Sequence, residues 1–389
     1  MVNFLFILRY DPFESPTGTQ IFGGSLALEL ARNGHNVKIV FESTHVESNT
    51  ERPNNVDLHG IQIVGVPYLR ALLFRRRCAA VCTQIIRDYP IDAIIGFTGT
   101  FPNYTFRKIK ENFGHSKRPK CLYYAIDSML SLYNISKPWI KSISPINRLK
   151  TYIYYSNLVK SDREACMESD FVLASSDDTN RQLCSNYGLS NKRIKTLYMG
   201  VRDQFGQGIK RSEPDIPNFL HIGGSVYKGT NFFLQAMKLL GEKYNLRAKA
   251  TITRATKSQM DEAMKTKIDI ELHGPISPRD HEIYYARCTA LVSPSLREGF
   301  CLPVVEAGMF GKPAVVSNGG SLPELVDDGE NGFVVPVADS KTLAERMNQF
   351  ALDQDLRSKM GEKARVRSRE FTISKTAARL VSMLSDYSP

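Results

Sequence analysis

Apolar residues along this chain recur in two alternating rhythms. Short aliphatic and aromatic runs of about four to eight residues read as strands, and longer stretches with apolar positions three and four apart read as helices. Phe4 to Leu8 predicts a strand, Gln20 to Arg32 a helix that stops at Asn33-Gly34, and His35 to Phe41 the next strand. Strands at Ile61 to Val66, Ala93 to Phe97 and Cys121 to Ile126 continue the series. Phe171 to Ala174, a helix from Thr179 to Tyr187 and a strand from Ile194 to Leu197 complete it. Residues 206–218 hold Gly, Pro and charge without periodicity and read as an interdomain linker. A second series follows, with strands at Phe219 to Ile222, Ala248 to Ile252, Ile268 to Leu272, Ala290 to Val292 and Ala314 to Val316. Three helices, near Ser340 to Ala351, Leu356 to Arg369 and Ile373 to Ser385, close the chain with no strand between them. Such alternation predicts two α/β halves, and in open α/β sheets ligands sit at the carboxyl ends of the strands.

Length agrees with that division, because 389 residues exceed one ordinary core and suit two domains of roughly 150–200 residues. Apolar content of 42% and charged content of 23% are those of a soluble globular protein. The seven cysteines are scattered, odd in number and without paired zinc-ligand spacing, which favours reduced thiols and a cytoplasmic setting. The apolar start, Val2 to Leu8, is too short to span a membrane and lacks a basic flank or a cleavage site, so it reads as a first strand.

Charge changes the picture more. The net charge is +11, and from Arg70 to Lys160 there are 16 Lys and Arg against 4 Asp and Glu. Arg75 to Arg77 follow Tyr68 to Phe74, and Trp139, Tyr152, Tyr154 and Tyr155 lie among lysines. Mixed aromatic and basic segments suit an anionic membrane surface, where each cation is worth about 1 kcal/mol, and equally suit a solvated positive face. No nucleic-acid-binding motif accompanies the charge, so a nucleic-acid partner is not expected.

Candidate chemistry concentrates in residues 291–324. A short strand ends at Ser293-Pro294-Ser295, the loop Glu298-Gly299-Phe300-Cys301 leads to Leu302-Pro303, and a helix should start near Pro303. Its exposed N–H groups and positive dipole end suit a diphosphate. Glu306, one turn in, suits neutral hydroxyls such as a ribose diol, and Glu298 suits those of a sugar ring. Two solvated glutamates flanking an ordinary turn would share this spacing.

The wider match decides between these. Pro294-Ser295, the Glu-Gly-Phe loop, Leu302-Pro303, Glu306-Ala307, Gly311-Lys312-Pro313, Gly319-Gly320 and Pro323-Glu324 together resemble the donor-site motif of glycosyltransferase family 4. The resemblance implies an α/β fold of GT-B type, two Rossmann-like α/β domains with the active site in the cleft between them. On that reading residues 1–205 form the acceptor-side domain, with the last helix (372–389) packing back on it, and 219–371 form the donor domain. It also implies a retaining, metal-independent hexosyltransferase that moves sugar from a nucleotide-diphosphate donor to an acceptor hydroxyl. That hydroxyl would belong to a lipid-linked glycan or another cell-surface glycoconjugate precursor, and the enzyme would sit in the cytoplasm or peripherally on the cytoplasmic membrane face.

Residue by residue, the resemblance assigns Glu306 to the ribose, Glu298 to sugar hydroxyls, and the backbone of Gly299, Phe300, Cys301 and Leu302 to the donor. Lys228 corresponds to the lysine of the family's Gly-Arg-Leu…Lys-Gly loop, here His221-Ile222-Gly223-Gly224-Ser225-Val226-Tyr227-Lys228-Gly229, which makes Lys228 and Glu298 the catalytic pair and Gly223 a donor contact. The family's arginine is missing, replaced by Gly224 or Ser225 in a shorter loop. Gly18, in Pro16-Thr17-Gly18-Thr19, would admit donor phosphate or acceptor closely, or simply turn a strand into a helix. Asp127 falls where the family shows His-Asp, with Ile126 in the histidine's place, and reads either as an acceptor contact or as a helix cap. Asp353-Gln354-Asp355 has the letters of a metal motif but lies between helices and reads as a cap, so neither metal nor cofactor is expected. Two other classes remain, a nucleotide-sugar epimerase on the same fold, against which the 291–324 match to transferases counts, and a non-catalytic glycan- or membrane-binding relative, which the absent arginine and histidine make conceivable.

Overall fold

A computed structural model describes the chain except residues 14–17, 44–52, 64–66, 115–117, 143, 265–268, 275–277 and 387–389. It divides into two compact units, one of residues 1–134, 140–200 and 373–389, the other of 135–139 and 201–372.

The first unit is built on a seven-stranded, all-parallel sheet in the order β3-β2-β1-β4-β5-β6-β7. Its strands are β1 (Asn3–Tyr10), β2 (Asn36–Ser43), β3 (Val56–Gln62), β4 (Ala93–Phe97), β5 (Lys120–Ala125), β6 (Phe171–Ala174) and β7 (Ile194–Thr196). The helices are α1 (Gly18–Arg32), α2 (Pro67–Asp88), α3 (Pro102–Phe113), α4 (Met129–Ser142), α5 (Pro145–Glu168), α6 (Asp177–Tyr187) and, from the chain end, α14 (Ile373–Ser385), which packs on α1. The central strands are buried on both faces, as expected when helices cover a parallel sheet. The expected strand at Ile61 to Val66 lies earlier, at β3, where Val37↔Val56 and Ser43↔Gln62 pairing fixes its register; residues 64–66 fall outside the described residues.

Gly23 and Gly24, which interrupt the helix pattern, have a packing reason. A Cβ on Gly23 would stand 2.7 Å from Leu8 Cδ2, and one on Gly24 2.9 Å from Pro12 Cβ, so their absence lets α1 lie close on β1.

The second unit has a six-stranded parallel sheet in the order β10-β9-β8-β11-β12-β13. Its strands are β8 (Asn218–Ile222), β9 (Lys249–Thr253), β10 (Asp269–Leu272), β11 (Ala290–Ser293), β12 (Ala314–Ser317) and β13 (Gly332–Val335). Between and after them run α7 (Thr230–Tyr244), α8 (Lys257–Met264), α9 (Pro278–Arg287), α10 (Leu302–Met309), α11 (Leu322–Leu325), α12 (Ser340–Leu352) and α13 (Gln354–Ser368). Of the expected strand at Ile268 to Leu272, Ile268 lies outside the described residues. The segment 206–218 groups with this unit and is fastened to it. Lys312 Nζ donates to Ser212 O at 3.2 Å and to Glu213 Oε1 at 3.0 Å, and Gly206 N donates to Glu282 Oε2 at 3.0 Å.

In each sheet the strand order reverses once, between β1 and β4 in the first unit and between β8 and β11 in the second. Loops leaving those neighbouring strands diverge to opposite faces and open a crevice at their carboxyl ends.

Candidate donor site

The crevice of the second unit is lined by two loops, residues 223–229 after β8 and 294–301 after β11, and they are sewn together. Leu296 N donates to Tyr227 O at 2.7 Å. Gly229 has φ 72°, and a Cβ there would lie 2.0 Å from the Pro294 carbonyl oxygen, so only glycine lets the two loops meet. On the other side Gly320, at φ 69°, forms a bridge with Glu298, and a Cβ on it would lie 2.2 Å from Glu298 O. Glu298 is thereby held from both directions before its side chain makes any contact.

That side chain is buried, and Oε1 accepts from Lys228 Nζ at 2.7 Å and from Ser295 Oγ at 2.7 Å. Burial works to lower the Lys228 pKa, but the Glu298 carboxylate, helped by Cys301 and Tyr227, outweighs it and holds the ammonium charged well above its ordinary range. The sequence thus brings Lys228 and Glu298, 70 positions apart, into one ion pair.

Glu306 projects from α10. Tyr285 of α9, wholly buried and stacked near Phe310, donates to Glu306 Oε2 at 2.6 Å. Burial raises the Glu306 pKa against the hydrogen bond from Tyr285 and the charge of Arg254, with Glu282 adding to the rise. Glu282 in turn accepts from Arg202 at 2.8 Å. The first turn of α10 carries Pro303, and the side chain of Cys301 at its cap position, which faces Ser293 Oγ at 3.6 Å, makes no capping hydrogen bond to the helix, so the positive end of this helix is presented without a side-chain cap from that position.

The remaining expected donor contacts divide by atom. Phe300 is buried, its ring edge-on to Phe371 at 5.7 Å, and the Cys301 thiol is buried and pushed up to about 12, chiefly by burial. Their side chains belong to the core, which leaves the backbone of Gly299, Phe300, Cys301 and Leu302 as the part that lines the loop. Gly223 N is committed to Thr253 O at 2.9 Å, so this glycine continues the β8–β9 ladder, and the turn is made by Gly224 at φ 121°. His221, just before it, is a neutral core residue. Its Nδ1 faces the Val292 carbonyl at 2.9 Å and must donate, so Nε2 accepts from Thr230 Oγ1 at 2.9 Å, and burial pulls its pKa down to about 4.

In the first unit Gly18 opens α1 at the β1–β4 crevice, and among the described residues beyond its chain neighbours and its own helix none approaches within 4 Å of where its Cβ would be. Packing does not demand glycine there. Pro16 and Thr17 lie outside the described residues. Asp127 is buried just after β5, and its Oδ1 accepts from the adjacent Ser128 N at 2.7 Å, while the residue in capping position on α4 is Ser128, whose Oγ accepts from Ser131 N at 3.4 Å. Asp353 caps α13 by accepting from Leu356 N at 2.8 Å. Among the described residues no cluster of three or more His, Cys, Asp or Glu is placed to hold a metal ion.

Tyr285, Ser295 and Arg254 escape the sequence reading. Ser295 lies inside the Pro294-Ser295 motif, which by itself assigns it no role. Tyr285 lies one turn after His281 in an apolar-spaced stretch, a signal that separates core from surface but not a carboxylate partner from a packing residue.

Two parallel α/β units of this kind define the GT-B class of fold. Sucrose-phosphate synthase from Thermosynechococcus elongatus superposes with a TM-score of 0.81 at 15% identity, covering 99% of both chains. Anabaena HepE, solved in complex with UDP and glucose, gives 0.70 at 16% identity over 99% of this chain and all of its own. The profile "Glycosyltransferase Family 4" matches residues 17–205, "Glycosyl transferases group 1" matches 210–367, and the chain belongs to glycosyltransferase family 4. Among curated relatives, an uncharacterized glycosyltransferase of Methanocaldococcus jannaschii is 28% identical over 213 residues, 54% of this chain and 58% of the relative. The lipopolysaccharide core biosynthesis mannosyltransferase LpcC of Rhizobium leguminosarum is 32% identical over 145 residues, 35% of this chain and 41% of the relative. The matched stretches thus span well under two thirds of either relative.

Proposed function

We propose that this protein is a retaining glycosyltransferase that moves a sugar from a nucleotide-diphosphate donor to an acceptor hydroxyl without a metal ion. The observation that carries the reading is the convergence of Lys228, Glu298, Glu306 and the uncapped start of α10 around one crevice of the second unit. Glu306 accepts from the ribose hydroxyls, and Tyr285 holds one of its oxygens in place. Glu298 accepts from sugar hydroxyls, while Lys228 and the α10 terminus face the phosphates. In the transfer step the bond from the anomeric carbon to the diphosphate breaks, and the diphosphate leaves with the electron pair. The acceptor oxygen bonds to that carbon, and its proton passes to a departing phosphate oxygen. Cations fixed in advance where negative charge grows lower this barrier more than they favour the bound donor. The UDP held by the HepE structure supports a nucleotide-linked donor.

Gly18 and Asp127 are assigned to the first unit's side of the reaction, Gly18 for close backbone approach and Asp127 for the acceptor. The acceptor is a lipid-linked glycan or another cell-surface glycoconjugate precursor, a class in keeping with the lipopolysaccharide relative. No described helix is long and apolar enough to cross a membrane. Peripheral binding to an anionic surface is supported instead by α4 and α5. Residues 128–161 hold five Lys and Arg and no acidic residue, and Ile146 and Leu149 stand 66% and 60% exposed beside Arg148 and Lys150.

The test is product formation from isotopically labelled UDP-glucose, GDP-mannose and ADP-glucose with a membrane lipid extract, with and without EDTA. Labelled lipid whose anomeric configuration matches the donor, formed equally in EDTA, supports the whole reading. Isomerised donor without transfer would indicate the epimerase, and neither product the binding relative.

A further inference from the structure

A phosphate site with one lysine has a charge problem here. Lys228 is already balanced by Glu298 at 2.7 Å, so the loop after β8 brings no net positive charge to a donor whose diphosphate is strongly negative. The place where family 4 carries an arginine is occupied by Gly224 and Ser225. A cation stands at the end of the neighbouring strand, β9.

Arg254 is the first residue after β9, at the carboxyl end of the sheet. Its backbone lies against the glycine loop: Gly223 N donates to the preceding carbonyl, Thr253 O, and the Arg254 carbonyl oxygen is 3.6 Å from where a Gly224 Cβ would be. Arg254 N donates to Gly274 O at 3.2 Å across to the loop after β10. The residue holds φ 57°, a left-handed conformation that Gly or Asn adopts far more readily than Arg, so something other than backbone preference keeps an arginine here. Its charge acts on Glu306, Tyr285 and His281, of which Tyr285 donates to Glu306 at 2.6 Å.

We infer that Arg254 is a donor-binding residue that supplies, from the end of β9, the phosphate-directed positive charge missing from the loop after β8. Lys228 then flanks the crevice on the β11 side and Arg254 on the β9 side. The inference rests on the donor-site reading above and deepens it, assigning the neutralisation of the leaving diphosphate to a residue on a different strand.

Arg254→Asn is the informative variant, because asparagine fits left-handed backbone and removes only the charge and reach of the side chain. Binding of UDP, GDP and ADP to the wild-type chain is measured by calorimetry, followed by the matching nucleoside of whichever binds, through competition. R254N is expected to weaken the diphosphate at least tenfold and the nucleoside less than twofold, with R254K in between. Diphosphate affinity within twofold of wild type in R254N, or an equal loss on the nucleoside, overturns the inference while leaving the donor site standing. A wild-type chain that binds none of the three diphosphates overturns the donor site and this inference with it.

Discussion

The two units place carboxylates near the carboxyl ends of their sheets, but settle them differently. In the first, Asp162 of α5 is closed off. Tyr123 donates to its Oδ1 at 2.5 Å, while Tyr187 at 2.8 Å and Met129 N at 3.0 Å donate to Oδ2, and burial still raises its pKa to about 6. This carboxyl ties α5, β5, α4 and α6 together. In the second unit Glu298 and Glu306 are each held at one oxygen, by Lys228 with Ser295 and by Tyr285, and both line a crevice framed by glycines with no room for a side chain. The same functional group is a structural joint where its acceptor capacity is filled from all sides, and a candidate ligand site where one edge is fixed and the rest faces a loop.

The glycine frame gives the sharpest break. Gly229→Ala must place a Cβ against the Pro294 carbonyl at left-handed φ, and we expect it to destabilise the second unit by roughly 3–5 kcal/mol. Chemical denaturation followed by hydrogen exchange should show the loss confined to residues 201–372, and a stability within 1 kcal/mol of wild type would mean the loops do not meet as described.

Asp162 gives a pH signature. Its folded pKa, near 6, lies above the unfolded value, so between about pH 4 and 6 the folded state keeps a proton that the unfolded chain has lost. Stability therefore falls by roughly 3 kcal/mol as pH rises through that window and is level above it. Asp162→Asn removes this slope, and melting temperatures of the two proteins from pH 4 to 7 will show their difference growing to pH 6. A constant difference would place Asp162 in a more solvated setting.

Lys228→Met leaves the Glu298 carboxylate with Ser295 as its remaining described side-chain donor, which should cost about 1–3 kcal/mol and reduce transfer far more than donor binding. A loss in donor affinity alone would make Lys228 a binding group and not a transition-state one. The smallest effect belongs to α5. Replacing exposed Ile146 and Leu149 with serine should leave stability within about 0.5 kcal/mol while reducing sedimentation with vesicles of anionic lipid. Unchanged sedimentation would leave the basic stretch a solvated face.

How much of this was legible depends on the kind of signal. Strands buried on both faces, such as Ala93–Phe97 and Phe171–Ala174, are uninterrupted apolar runs and could be read directly. The first half of α5 could not, because apolar and polar residues there share an exposed surface and follow no single face. β13 is a four-residue Gly-Phe-Val-Val run that only its pairing with β12 defines. Within the candidate site, Lys228, Glu298 and Glu306 were singled out through the resemblance, and the structure joins the first two in one ion pair. Tyr285 and Arg254 were not, since their relation to Glu306 arises from separate elements meeting at the crevice. Gly223, assigned to the donor through the resemblance, has its N–H bonded into the sheet, which the sequence alone does not reveal.

The central claim is that the crevice between β8 and β11 is a nucleotide-sugar site with Glu306 on the ribose. Thermal shift with UDP-, GDP- and ADP-sugars, wild type beside Glu306→Ala, tests it most directly, because a ligand at a hundred times its dissociation constant adds about 2.7 kcal/mol of stability. The account predicts that one nucleotide class stabilises the wild type and not the variant. Equal stabilisation of both, or of neither by any nucleotide sugar, would contradict it.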